Sequence, residues 1–159
     1  MDDIWRDALL YNKWANLGVL DGCESVGDDQ LELTVPGTYG TIKATLIHML
    51  AGEQRYVRRL TGAAPALKEE AVFPGIAALR EHARRSGDAL VAAAAALEPD
   101  ATTQADYDGT MVTLRKSLVV VQAIHHGNDH RAQIGTILGA HSLPVPEVDV
   151  WAYGLTVRC

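Results

Sequence analysis

Four separate stretches of this chain repeat apolar residues at the spacing of a helix face, a pattern that has few ways to bury itself. The first runs from about Asp3 to Asp21 and places Ile4, Ala8, Tyr11, Ala15 and Val19 on one side. The second runs from near Thr41 to Leu60 through Ile42, Leu46, Met49 and Tyr56, and Gly62 stops it. The third opens near Pro74, where proline's missing N–H costs nothing in a first turn, and reaches Leu97 through Ile76, Leu79, Ala83, Leu90 and Ala94. The fourth covers about Leu114 to Ala140. Amphipathic helices joined by connections of varied length bury their stripes against one another, so the expected fold is an all-α four-helix bundle. No internal repeat or low-complexity linker divides the chain, and 159 residues suffice for one core, so a single domain over residues 1–159 is expected.

The connections carry weaker signals. "ESVGDDQLELTVPGTYG" is turn-rich, broken by Pro36, Gly37 and Gly40. Asp108-Gly109, between "QADY" and "MVTL", is a hairpin turn signal and the one place where strand is indicated. Pro144 and Pro146 keep the tail before "VDVWAYG" from continuing as a regular helix.

A formal charge of −6 argues against a nucleic-acid binder, which shows a basic footprint. The apolar runs "LVAAAAAL" and "LVVV" are far shorter than the roughly 20 residues of a membrane span. "MDDIWRD" lacks the basic-then-apolar pattern of a signal peptide. Two cysteines, Cys23 and Cys159, make no multi-bridge framework and suit a reducing compartment. A cytoplasmic protein is expected.

The fourth helix holds three of the six histidines, in "AIHHGNDHRAQIGTIL". At about 100° per residue, Val119, Ala123, Ile134 and Ile137 point in nearly one direction. His130 shares that direction and His126 lies within about 50° of it, whereas His125 points roughly 145° away. His126 and His130 therefore face inward one turn apart, close enough to share a metal ion, and His125 faces solvent. The alternative is a pair of histidines at the core edge, hydrogen-bonded to neighbouring polar groups. The pair is not a zincin motif, because Gly127 occupies the position of the catalytic glutamate. Nor are there Glu-x-x-His repeats of a di-iron bundle. Of the possible third ligands, His141 is about 16 Å along the helix from His130, too far to reach. His48 and His82 both lie at the margin of an apolar arc, and periodicity does not choose between them.

"ATLIHMLAGEQRYVRRLTG" around His48 and "HHGNDHRAQIGTIL" around His126 and His130 resemble the two signature regions of the DinB/YfiT-like family, which is unrelated to the DNA polymerase of similar name. "LLYNKWAN" and "VDVWAYG" match in the same order, so the resemblance spans most of the chain. It implies a four-helix bundle with one metal-binding histidine on the second helix and two on the last. By motif, these are His48, His126 and His130. It also implies frequent homodimers and, among characterised relatives, thiol transferases that use bacillithiol-type thiols and mycothiol-dependent isomerases. Two departures from the family pattern are Ala132, where glycine is usual, and His125, where asparagine is common; the alanine would tighten a helix contact.

Three neutral ligands leave a coordination position open, the layout of a catalytic site. The leading expectation is a transferase using a divalent ion, zinc or nickel foremost, to activate a low-molecular-weight thiol toward an electrophile. A metal-dependent hydrolase and a non-catalytic metal-binding stress protein are the alternatives. Gln133, on the ligand side of the helix, is either an orienting partner for an imidazole or substrate or an ordinary polar residue at the margin. Arg131 reads as a structural salt bridge, and Tyr11, Trp14 and Trp151 as core or interface aromatics. His82 and His125 read as solvated, His141 as the end of the last helix, and "GDDQLE" and "LKEE" as solvated acidic loops. Ser142 has no nucleophile elbow around it, and "GTYG" lacks the ending of a phosphate loop.

Overall fold

The apolar stripes become helices in the computed structural model, which describes residues 3–69 and 72–157. In chain order the elements are α1 (Asp3–Glu24), α2 (Ile42–Thr61), α3 (Ile76–Ala95), β1 (Thr102–Tyr107), β2 (Thr110–Arg115), α4 (Lys116–Ala140) and α5 (Val150–Thr156), with a 3-10 turn at Gln30–Glu32. Their ends follow local chemistry. The Thr41 hydroxyl accepts from the Ala44 N–H at 3.2 Å to start α2, and Gly62, with φ of 83°, ends it.

The all-α expectation needs correction, because β1 and β2 pair antiparallel from Thr102↔Arg115 to Tyr107↔Thr110. Asp108 (φ 50°) and Gly109 (φ 80°) are both left-handed, as the tight hairpin turn that matches strand twist requires. Asp106 Oδ1 accepts from the Gly109 N–H at 2.8 Å and reinforces the turn. Ala105 is buried and Thr103, Val112 and Leu114 are half-buried, so alternate residues face inward at the two-residue period of a strand.

The tail does not continue α4, as the prolines require, but it adds a short helix that periodicity does not indicate. It leaves helical geometry after Ala140, crosses over Gly18 and Gly22 with Val148 and Pro146, and then re-forms a helix, α5. Asp149 caps α5 by accepting from the Ala152 N–H at 2.8 Å. Tyr153 packs against Tyr11 and Trp14, with ring centroids 6.0 and 5.5 Å away. Trp151, by contrast, is 85% exposed and lies outside the core.

Helix α1 packs along α3, and α2 packs along both α3 and α4. Two apolar clusters result. One contains Leu20, Leu46, Leu50, Leu79, Ile134 and Leu138, and the other Leu9, Val57, Leu60, Leu90 and Val119. On all four long helices, buried polar residues fall between the two clusters: Asn12 and Asn16 on α1, Glu53 on α2, Ser86 on α3 and Arg131 on α4. Cys23 lies in the first cluster, where burial pushes its thiol up to about 12. Cys159 lies outside the described residues. Among the described residues, no helix is long and apolar enough to cross a membrane.

The polar layer forms one network. Glu53 Oε2 accepts from Asn12 Nδ2 at 3.0 Å and Asn16 Nδ2 at 2.9 Å, and Oε1 accepts from the Ser86 hydroxyl. The two asparagine oxygens accept from one nitrogen of Arg131 at 2.8 and 2.5 Å. Glu53→Ala would leave the donors of Asn12, Asn16 and Ser86 unpaired in the interior and remove the charge opposite Arg131, at about 1–3 kcal/mol for a buried donor left unsatisfied. Urea denaturation should register that loss, against a change within about 0.5 kcal/mol for the exposed Glu98→Ala.

Candidate metal centre

His126 and His130 sit one turn apart on α4 and meet His48 of α2, and each of the three offers a ring nitrogen within 4.8 Å of the others'. The rings lie 4.5 to 5.0 Å apart between centroids, and His48 Nε2 is 3.2 Å from His126 Nε2. Close approach of α2 makes this possible at Gly52. A Cβ there would lie 2.4 Å from His126 Cε1, so any larger residue would fill the space that the ring occupies. Gly127 does the same one layer down, where a Cβ would meet Asn12 Oδ1 at 2.6 Å and Arg131 at 2.8 Å.

The outer ring nitrogens are held by acceptors. Glu69 accepts from His48 Nδ1, and Gln133 Oε1 accepts from His130 Nδ1 at 3.2 Å. The Gln133 amide orientation is determined by its surroundings: Oε1 also accepts from the Tyr39 N–H at 3.0 Å, while Nε2 donates to Asp129 Oδ2 at 3.2 Å. An acceptor at Nδ1 holds the proton there, so in the neutral tautomer of either ring Nε2 is the lone pair. Tyr39 ties the two partners together. Its hydroxyl donates to Glu69 Oε1 at 2.8 Å, and its ring stacks on His48 at 3.9 Å. Arg55 NH1 completes the surroundings of Glu69 at 2.6 Å from Oε2.

Electrostatics keeps these groups in the matching protonation states. Burial, followed by the neighbouring imidazoles, lowers His126 from 6.5 to about 4, and burial also lowers His130. Burial pushes Glu69 up, but hydrogen bonds from His48 and Tyr39 and the charges beside it outweigh that and bring it to about 2. Contact with the Glu69 carboxylate raises the Tyr39 hydroxyl.

This donor set suits a divalent ion. A tetrahedral metal with nitrogen ligands at about 2.0–2.1 Å sets those nitrogens roughly 3.3 Å apart, close to the spacing found between His48 and His126. Partners that hold the outer nitrogen and aim the inner one are the usual support for such ligands.

Of the six histidines, the fold brings together these three and leaves the others outside. His125 is exposed as expected, and His141 ends α4 with its Nε2 3.3 Å from the Thr34 carbonyl oxygen. His82 is not solvated as expected: it is half-buried, its Nδ1 3.3 Å from Gln54 Nε2. Gln133 orients an imidazole, one of its two expected roles. Arg131 is structural, but asparagines rather than a carboxylate take its hydrogen bonds, and its NH2 has no partner among the described residues. Ala132 is exposed and tightens no helix contact. Glu69, read as part of a solvated acidic run, belongs to the site; Glu70 of that run lies outside the described residues.

Comparison with known proteins agrees with this arrangement. The family model described as DinB family matches residues 1–154. The fold is similar to the crystal structure of a DinB-like protein from Bacillus cereus ATCC 10987, with a TM-score of 0.66 at 22% identity, over 88% of this chain and 92% of that one. Among curated proteins, none matches this chain.

The depressed values have a consequence for metal-free protein. Below pH 6.5 the unfolded chain takes up a proton at His126 that the folded chain refuses until about pH 4. That contribution to stability is complete above pH 6.5 and is lost as pH falls through 4. Glu69 adds a second loss, beginning below its ordinary 4.5 and ending near 2. Urea midpoints measured across this range should fall in that order, and His126→Asn should make the upper limb shallower.

Proposed function

The chain belongs to the DinB family, and on that footing we propose that it is a metal-dependent transferase in which His48, His126 and His130 hold a divalent ion and a low-molecular-weight thiol of the bacillithiol or mycothiol type is the nucleophile. The observation that carries this reading is the convergence of three imidazoles, two of which, His48 and His130, are oriented by Glu69 and Gln133. Bound there, an ion with three neutral ligands keeps its double charge and an open position, and supplies the Lewis acidity that lowers the pKa of a thiol or water. Zinc and nickel both suit imidazole donors.

The chain's own groups do the rest. Glu69 and Gln133 hold the protons on the outer nitrogens and keep the inner ones free as ligands. Tyr39 covers one face of His48 and Tyr56 stands edge-on to His126 at 5.5 Å, so both rings are shielded from bulk water. The same reading takes the scaffold as one four-helix-bundle domain working as a cytoplasmic homodimer. Exposed apolar side chains at Ile4, Leu118, Val121 and Trp151 favour a second copy as cover, and sedimentation equilibrium should return a dimer mass.

The central test is metal content followed by turnover. Purified protein should reconstitute to near one divalent ion per chain, and His130→Ala should abolish this. Glu69→Gln should weaken binding about 10–100-fold, the usual cost of losing a partner to a ligand. A panel of thiols with an electrophile should then give metal-dependent thioether formation. Turnover with water alone would assign a hydrolase instead, and metal binding without any turnover would assign a binding protein.

A further inference from the structure

The last two turns of α2 extend the stripe that begins at the histidine centre. His48, Gly52, Arg55 and Arg59 fall within about 60° of one another around the helix axis, and Arg55 and Arg59 lie about 10 and 16 Å along it from His48. Beyond Arg55 the surface opens into a cavity of about 650 Å³ between the C-terminal end of α2 and β1. Arg55, Arg58, Arg59 and Lys116 line it together with Thr61, Thr102 and Thr103, and among the described residues no carboxylate does. In a chain of net charge −6 that is a pronounced local reversal of sign.

Helix capping accounts for Lys116, whose Nζ donates to the Leu60 oxygen at 2.7 Å, but not for Arg58 and Arg59, whose side chains bond no terminal carbonyl among the described residues. The Arg58 oxygen accepts instead from the Gly62 N–H at 2.7 Å, and the Val57 oxygen from the Thr61 hydroxyl at 2.9 Å. Arg55 is committed to Glu69. Arg58 and Arg59 are exposed and make no ion pair among the described residues, whereas Arg80, Arg84 and Arg85 all find carboxylates. Arg59 also borders a second cavity of about 530 Å³ beneath the hairpin, whose wall includes Tyr56, Val112 and Leu118. Tyr56 is the residue against His126, so an apolar stretch leads from the histidines to the arginines.

We propose that the groove between α2 and β1 binds the anionic end of a small-molecule ligand, a phosphate or carboxylate group, through Arg58 and Arg59. The guanidinium forks match either oxyanion, and the hydroxyls of Thr102 and Thr103 add neutral donors. Linked to the histidine centre, the groove selects a substrate with an acidic group about 15–16 Å from its reacting end, with an apolar stretch between; that link rests on the function proposed above, but anion binding itself does not.

The test is titration of isotope-labelled full-length protein at low ionic strength with inorganic phosphate and, separately, succinate, followed by amide NMR. Shifts should concentrate at Gly62, Thr102 and Thr103 for at least one anion, and the anion that binds more tightly identifies the chemistry. Arg58→Ala/Arg59→Ala should weaken that binding about tenfold, and Arg84→Ala/Arg85→Ala, with the same charge change, should leave it unaltered. His48→Ala should titrate like the wild type, so a failure of the metal reading leaves this result standing. Absence of shifts with both anions, or equal affinity in the Arg58/Arg59 variant, overturns the proposal.

Discussion

The buried carboxylate of Glu53 links all four long helices. Directly it takes hydrogen bonds from Asn12 and Asn16 of α1 and Ser86 of α3, and through the asparagine oxygens it is coupled to Arg131 of α4. Neither charge sits alone. Burial raises the carboxyl and lowers the guanidinium, and the hydrogen bonds and opposite charge around each counter only part of that effect. Apolar stripes can slide by a turn with little penalty, but a polar network with directional partners has one register. Glu53 directly follows Gly52, and Arg131 directly follows His130. Fixing Glu53 against Arg131 thus fixes the glycine slot against the imidazole face, and the histidine centre inherits its alignment from the layer beside it.

On that alignment the two sides of each imidazole are treated differently. Inward-facing nitrogens meet one another at a distance suited to a shared cation, and the outward-facing nitrogens of His48 and His130 meet acceptors. Desolvation keeps His126 and His130 neutral at physiological pH, when protonated rings would repel one another and any cation. Glu69 remains ionised in a partly buried place because His48, Tyr39 and Arg55 all address it. His126 and His130 therefore do not require an ion to reach the protonation state an ion needs.

Legibility in the sequence followed the period of each element. Helices α1 to α4 each run for five turns or more and bury one side along much of that length, so their stripes stand out. The hairpin turns only Thr103, Ala105, Val112 and Leu114 inward, and α5 buries only Tyr153, too few positions to make a pattern. His126 and His130 were readable from helical phase, but His48 came from family resemblance, because a half-buried residue at the margin of an arc has no distinctive phase. Glu53 and the Asn12–Asn16 pair were readable in principle, being polar groups spaced on otherwise apolar faces. Glu69 and Tyr39 were not. They reach the site from loops, across 21 residues to His48 and 94 to Gln133, and loop residues carry no periodicity that would announce such contacts.

The division between helix and loop has a chemical consequence. The histidines ride on α2 and α4, whose relative position is set by the buried network, so their spacing is insensitive to changes elsewhere on the surface. The groups that tune and border them, Tyr39, Glu69 and the hairpin, lie on connections that tolerate substitution. Such a scaffold can keep its donor set while its substrate changes, since new contacts in the loops need not disturb the polar layer. Specificity in this chain should then be sought where the connections meet the end of α2, and there the surface is cationic, with an apolar approach from the histidines.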